Sequence, residues 1–115
     1  VRLLGPNSLR SADTARTYPV QAEKLVRVIE EAVRELPRWS LVTSTGTEIR
    51  ASRGTRLGLK DDVTVRITPS PSGAHTNTHA VFHSVSRVAV WDLGQNERNL
   101  KELLAIVNHE LTADS

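Results

Sequence analysis

The apolar residues of this chain recur with one period near its two ends and with another between them. Ala22, Leu25, Val26, Ile29, Ala32, Val33 and Leu36 are spaced three and four apart. That spacing predicts one apolar stripe along an amphipathic helix. Leu100, Leu103, Leu104, Val107 and Leu111 repeat the pattern near the other end. Between the two stripes the period falls to two. Val63, Val65 and Ile67 alternate with Thr64, Arg66 and Thr68, the mark of a strand with one buried and one wet face.

Trp39, Leu41 and Thr43 alternate with Ser40 and Val42, a turn follows at Thr45-Gly46, and Ile49 and Ala51 alternate with Glu48, Arg50 and Ser52. This reads as a β-hairpin. A long β-rich segment runs from His75 to about Val90 after the turn Pro69-Ser-Pro-Ser-Gly73. Pro19 suits the first turn of the first helix, with Thr17 or Tyr18 near its cap. Pro37 ends that helix by removing a donor and restricting its neighbour. Asn96 is the expected N-cap of the last helix.

The order is helix, four strands, helix. An unbroken run of strands favours an antiparallel meander. Each helix has a single apolar stripe, so both fit on one face. The expected fold is α+β, an antiparallel sheet of about four strands with two helices packed on one face. The layout resembles helix-grip domains, an analogy that licenses no function. Residues 1–17 form an expected extended N-terminal arm, 18–112 a single α+β domain and 113–115 a tail. The whole is 115 residues long, suited to one domain.

Net charge is +2, which does not suit a nucleic-acid binder. Arg50, Arg53, Arg56, Lys60 and Arg66 concentrate positive charge locally, offset by Asp61 and Asp62. A solvated strand face is preferred here over a phosphate patch. The chain has no cysteine, hence no disulfide, thiol nucleophile or cysteine zinc site. No apolar run is long enough for a transmembrane segment. The chain starts at Val1 and has no Met, so a processed, exported product is expected. A soluble cell-envelope location is favoured over the cytoplasm.

His75, His79 and His83 are spaced by four, which suits metal binding on a helix. In a strand that spacing separates them by roughly 13 Å, so no metal site or other cofactor is assigned. Ser84 and Ser86 near a histidine suggest a hydrolase using His83, Ser86 and an Asp. No Gly-x-Ser-x-Gly elbow surrounds either serine, and no residue is assigned as catalytic. Asp61 and Asp62 are adjacent, so a strand points them to opposite faces. One is expected to cap a turn and the other to pair with a cation inside the fold.

From Ser84 to Arg98 a strand gives way to a Gly-containing turn and then a helix. Helix N-termini offer unpaired N–H groups to anions, and Arg87 and Arg98 can clamp an anion bidentately. The expected ligand contacts are therefore Ser84, Ser86, Arg87, Asp92, Asn96 and Arg98. The competing structural reading pairs Asp62 and Asp92 with Arg87 and Arg98 to fix the corner. Losing Arg87 would then leave a buried, uncompensated Asp.

Lys60-Asp-Asp-Val-Thr-Val-Arg66, His83-Ser-Val-Ser-Arg-Val88 and Asp92-Leu-Gly-Gln-Asn-Glu-Arg98 together resemble the family called domain of unknown function 1499. Its pattern is an aromatic-Asp-Asp-Val strand start, Arg-Ser-x-Ser-Arg-x-Gly, an Asp-x-Gly-x-Asn turn and a helical Arg. This chain departs from it at His83, Ala89 and Leu59, and Gly5-Pro-Asn-Ser8 replaces a Cys-containing segment. The resemblance implies a bacterial or plastid protein, often envelope- or thylakoid-associated, with no established activity. The expected function is a non-enzymatic binding or accessory domain for a small anionic ligand, a lipid head group or a protein partner. The hydrolase reading is the alternative.

Overall fold

The computed structural model describes residues 11–54, 58, 60–69, 77–87 and 95–113. The elements are β1 (Ser11–Tyr18), α1 (Ala22–Glu35), β2 (Trp39–Ser44), β3 (Glu48–Gly54), β4 (Lys60–Pro69), β5 (Thr78–Ser86) and α2 (Gln95–Ala113). The sheet is antiparallel throughout, in the order β1-β5-β4-β3-β2. The α+β expectation holds, with five strands in place of about four. The extra strand comes from the expected arm. Ser11–Tyr18 pairs with Thr78–Val85 over eight positions. Its period-two signal is weak because only Ala12, Ala15 and Tyr18 are apolar, and edge pairing is held by backbone bonds that any sequence can make. The first ten residues of the arm, the turn 70–73, His75, Asp92 and the last two residues of the expected tail lie outside the described residues.

Both helices lie on one face. Leu25, Val28, Ile29, Ala32 and Val33 of α1 and Leu100, Leu103, Leu104 and Val107 of α2 are buried against the sheet. The sheet contributes Ile49, Ala51, Val63, Val65, Ile67, Ala80 and Phe82. Of these, Ile49, Ala51, Val63, Val65 and Ile67 are the alternating positions read from the sequence. Odd-numbered residues of β5, such as His79 and His83, and even-numbered residues of β4, such as Thr64 and Arg66, face the other side. No helix among the described residues is long and apolar enough to cross a membrane.

Two local expectations are corrected. Helix α1 begins at Ala22, with Gln21 as N-cap, so Pro19 precedes the first turn. The β2–β3 register shifts between Leu41 and Thr43. This bulge carries Thr43 off the inner face and leaves Val42 57% exposed. It falls on an edge strand, where a bulge discourages pairing with another chain.

Helix α1 stops at Leu36, and after Pro37 the chain reverses through Arg38 at φ 71°. Arg38 O then accepts from Gly54 N at 2.8 Å, fixing β2 against β3. A non-glycine residue pays roughly 1–2 kcal/mol for left-handed backbone. Arg38→Gly is expected to stabilise the fold by about 0.5 kcal/mol after the unfolded-state entropy of glycine is counted. Urea denaturation measures this, and a destabilised variant would contradict it.

Candidate functional site: the polar seam beneath helix α2

The apolar stripe of α2 does not reach its first turn. At the same three-and-four spacing stand Asn96, Asn99 and Glu102. Asn96 and Asn99 are fully buried. Across from them the inner positions of β4 and β5 also turn polar, at Asp61, Ser84 and Ser86, all buried. The register puts Asp61 beside Ser86 and Val63 beside Ser84.

These groups bond one another. Ser84 Oγ donates to Asn96 Oδ1 at 2.5 Å, and Asn96 Nδ2 donates to Ser86 Oγ at 2.9 Å. Asn99 Nδ2 donates to Asp61 Oδ2 at 2.8 Å and to Ser84 Oγ at 3.1 Å. Gln95 Nε2 donates to Asn99 Oδ1 at 2.7 Å, and Arg98 Nη2 donates to Gln95 Oε1 at 3.1 Å. One turn further on, Glu102 Oε1 accepts from Trp39 Nε1 at 2.5 Å and from Arg53 Nε at 3.2 Å. Arg53 lies directly across from Asp61 on the same face. The first half of α2 is thus tied through polar side chains to β2, β3, β4 and β5. Burying these groups is tolerable because they supply each other's partners.

Of the ligand contacts expected from sequence, Ser84, Ser86, Asn96 and Arg98 join this one hydrogen-bonded chain. Asn96 sits within the helix and spends its side chain on β5, which corrects its reading as the N-cap. Arg87 does not join. It follows the outward positions of β5 and grips Asp62 with Nε and Nη2 at 2.8–3.0 Å. Asp62 holds the Arg87 guanidinium above its ordinary pKa. Both side chains are nearly half exposed, so the expected buried Asp behind Arg87 is corrected to an open surface pair. The buried carboxylate is Asp61, and it meets the Asn99 amide in place of the expected cation. Asp92 lies outside the described residues. Sequence reasoning missed Asn99 and Gln95 and left open which of Asp61 and Asp62 turns inward. Parity with Val63, and spacing of three from Asn96, were the available signals.

The outer face is polar. His83 Nδ1 donates to Asp13 Oδ1, and Thr17 Oγ1 is 3.1 Å from His79 Nδ1. Glu48 is flanked by Arg50 at 2.8 Å and Arg66 at 3.4 Å. The Arg50 hydrogen bond leads in holding the Glu48 carboxyl below its usual range.

At the far end of the helices is a half-open pocket of about 470 Å³. Tyr18, Val20 and Lys24 form one wall, and Asn108, Leu111 and Thr112 the other. Tyr18 is 7% exposed, and its hydroxyl has no partner among the described residues. Burial pushes the Tyr18 phenol up, with Arg16 opposing.

The comparisons with known proteins bear on the family and the fold. The family described as "Protein of unknown function (DUF1499)" matches residues 6–107. The chain belongs to that family. The match takes in β1 as well as the β4–α2 segments, so the DUF1499 unit includes the edge strand. No curated protein sequence matches the chain. Among solved structures, protein MLL2253 from Mesorhizobium loti is 14% identical with a TM-score of 0.65, covering 92% of this chain and 99% of that one. DR_A0006 from Deinococcus radiodurans is 15% identical with a TM-score of 0.55, covering 87% and 96%. CV1439 from Chromobacterium violaceum is 9% identical with a TM-score of 0.57, covering 85% and 94%. At these identities the likeness is one of fold.

The two polar systems differ in burial and should differ in cost. Asn99→Leu strands a buried carboxylate and should destabilise the DUF1499 domain by about 3 kcal/mol in urea denaturation. Arg87→Ala removes an exposed pair and should leave the melting temperature nearly unchanged. The reverse order would contradict this assignment of the buried partner.

Tyr18 gives a pH signature. Its folded pKa is raised above the ordinary value of 10.0. Stability linked to the neutral phenol is complete below that pH and is lost as pH rises through the folded pKa. Wild type should therefore lose more stability than Tyr18→Phe as pH rises above 10.0, read by chemical denaturation at each pH.

Proposed function

We propose that this domain is a non-enzymatic binding or accessory module for a small anionic ligand, with the polar seam as its frame. The observation that carries this reading is the placement of His83 and Ser86. They are three apart on β5, so their side chains leave opposite faces of the sheet. His83 bonds Asp13 outside, while Ser86 accepts from Asn96 inside. A hydrolase needs its base within hydrogen-bond reach of its nucleophile. Ser84 is likewise engaged by two asparagines. In this reading Ser84, Ser86 and Asn96 position α2, and ligand contact falls to surfaces the seam leaves open.

The test joins two assays. Nitrophenyl acetate and nitrophenyl phosphate are offered to wild type, His83→Ala and Ser86→Ala. All three are expected to match buffer. Turnover by wild type that both variants abolish would overturn the reading in favour of the hydrolase. A thermal-shift panel of phosphorylated metabolites, nucleotides and carboxylates is run on wild type. A ligand at ~100 times its Kd should add about 2.7 kcal/mol, a shift of several degrees. A panel without a hit would count against a small anionic ligand.

A further inference from the structure

On the outer face of the sheet, cations outnumber carboxylates at one place. Of the basic run from Arg50 to Arg66, Arg53 turns inward to Glu102, whereas Arg50 and Arg66 stand outward. The register sets Glu48 beside Arg66 and Arg50 beside Thr64. These four side chains are the corners of a rectangle, about 5 Å across the strands and about 7 Å along them. Arg50 and Arg66 take one diagonal, Glu48 and Thr64 the other.

Arg50 Nε donates to Glu48 Oε1 at 2.8 Å, and Arg66 Nε lies 3.4 Å from Glu48 Oε2. Two guanidiniums thus share one carboxylate, and one positive charge is left over. Among the described residues, the Nη groups of both arginines have no hydrogen-bond partner, and neither has the Thr64 hydroxyl. The two arginine side chains are 60% and 67% exposed, so a solute reaches them directly. The nearest other carboxylates are already engaged, Asp62 by Arg87 and Asp13 by His83.

The Thr64 corner mirrors the Glu48 corner. An anion there meets the same two arginines from the opposite side, with a hydroxyl beneath it. Two sets of Nη donors and a hydroxyl outnumber the two oxygens of a carboxylate, whereas a phosphate monoester offers three. Guanidinium forks match the geometry of that group. Among the described residues Val42 is the exposed large apolar side chain, too little to anchor this face in a bilayer, so the ligand comes from solution.

We propose that the Thr64 corner of the outer face binds a small soluble phosphate monoester, held between Arg50 and Arg66 over the Thr64 hydroxyl. This rests on the binding-module reading and names its site and ligand class.

The probe is glycerol phosphate, titrated at constant ionic strength into isotope-labelled wild type, Arg50→Gln, Arg66→Gln, Thr64→Val and the distant charge control Arg27→Gln. Backbone and arginine Nε resonances are followed by NMR at about pH 8, where the phosphate is a dianion. The substitutions fall on exposed or half-buried positions, and the ligand-free spectra check that each variant folds. Wild type should show saturable shifts centred on Arg50, Thr64 and Arg66, and should bind acetate at least tenfold more weakly. Arg50→Gln and Arg66→Gln should each weaken glycerol phosphate about tenfold, and Thr64→Val by about threefold. Arg27→Gln should leave the affinity unchanged. Shifts that do not saturate, or an equal loss in Arg27→Gln, would overturn the proposal by reducing it to diffuse charge attraction. Absence of glycerol phosphate binding, alongside another panel anion that still shifts wild-type melting, would overturn this site and leave the module reading standing. Sedimentation with phosphatidic acid vesicles without binding of glycerol phosphate would also overturn it, by making the ligand a membrane surface.

Discussion

The arrangement depends on how α2 meets the sheet. From Leu100 onward it packs by apolar contact through Leu100, Leu103, Leu104 and Val107. Its first half docks by hydrogen bonds through Asn96, Asn99 and Glu102 to four strands. Apolar contact is non-directional and tolerates sliding. Hydrogen bonds of fixed geometry do not. The apolar half therefore drives docking, and the polar half sets the rotation and register of the helix. Asp61 is the most demanding member, since a buried carboxylate without its partners would be far costlier than a buried amide.

That division explains why the two ends of the helical layer differ. At the β5–α2 corner the inward polar groups engage one another. At the opposite end, where α1 begins and α2 finishes, the layer gapes and Tyr18 is left with an unused donor. The outer sheet face is a third environment, in which Asp62–Arg87 and Glu48 with its two arginines pair in contact with water. Exposed pairs of that kind add little to stability but keep the uncovered face soluble.

Much of this was legible in the sequence. Two helical stripes around period-two segments predict both the class and the shared packing face, and Val63, Val65 and Ile67 mark the buried side of β4. The edge strand was not legible, because Ser11–Tyr18 is mostly polar and its pairing is made by the backbone. The bulge at Val42 was hidden for a similar reason, since one extra residue leaves local composition unchanged. At the corner, residue types pointed to the right place and paired Arg87 with Asp62, but put that pair inside the fold, whereas it lies on the open face. Arg87 and Asp62 look like an internal clamp until strand parity is applied. The same parity brings Asp61 inward, and helical spacing then selects Asn99 to meet it.

The measurement that tests this account most directly is a double-mutant cycle on Asp61→Leu and Asn99→Leu, followed by urea denaturation. If the two side chains satisfy one another inside the seam, the double variant should lose at least about 2 kcal/mol less than the sum of the single losses. Additive losses within about 0.5 kcal/mol would mean that Asp61 and Asn99 do not depend on each other, and that something else fixes α2 on the sheet.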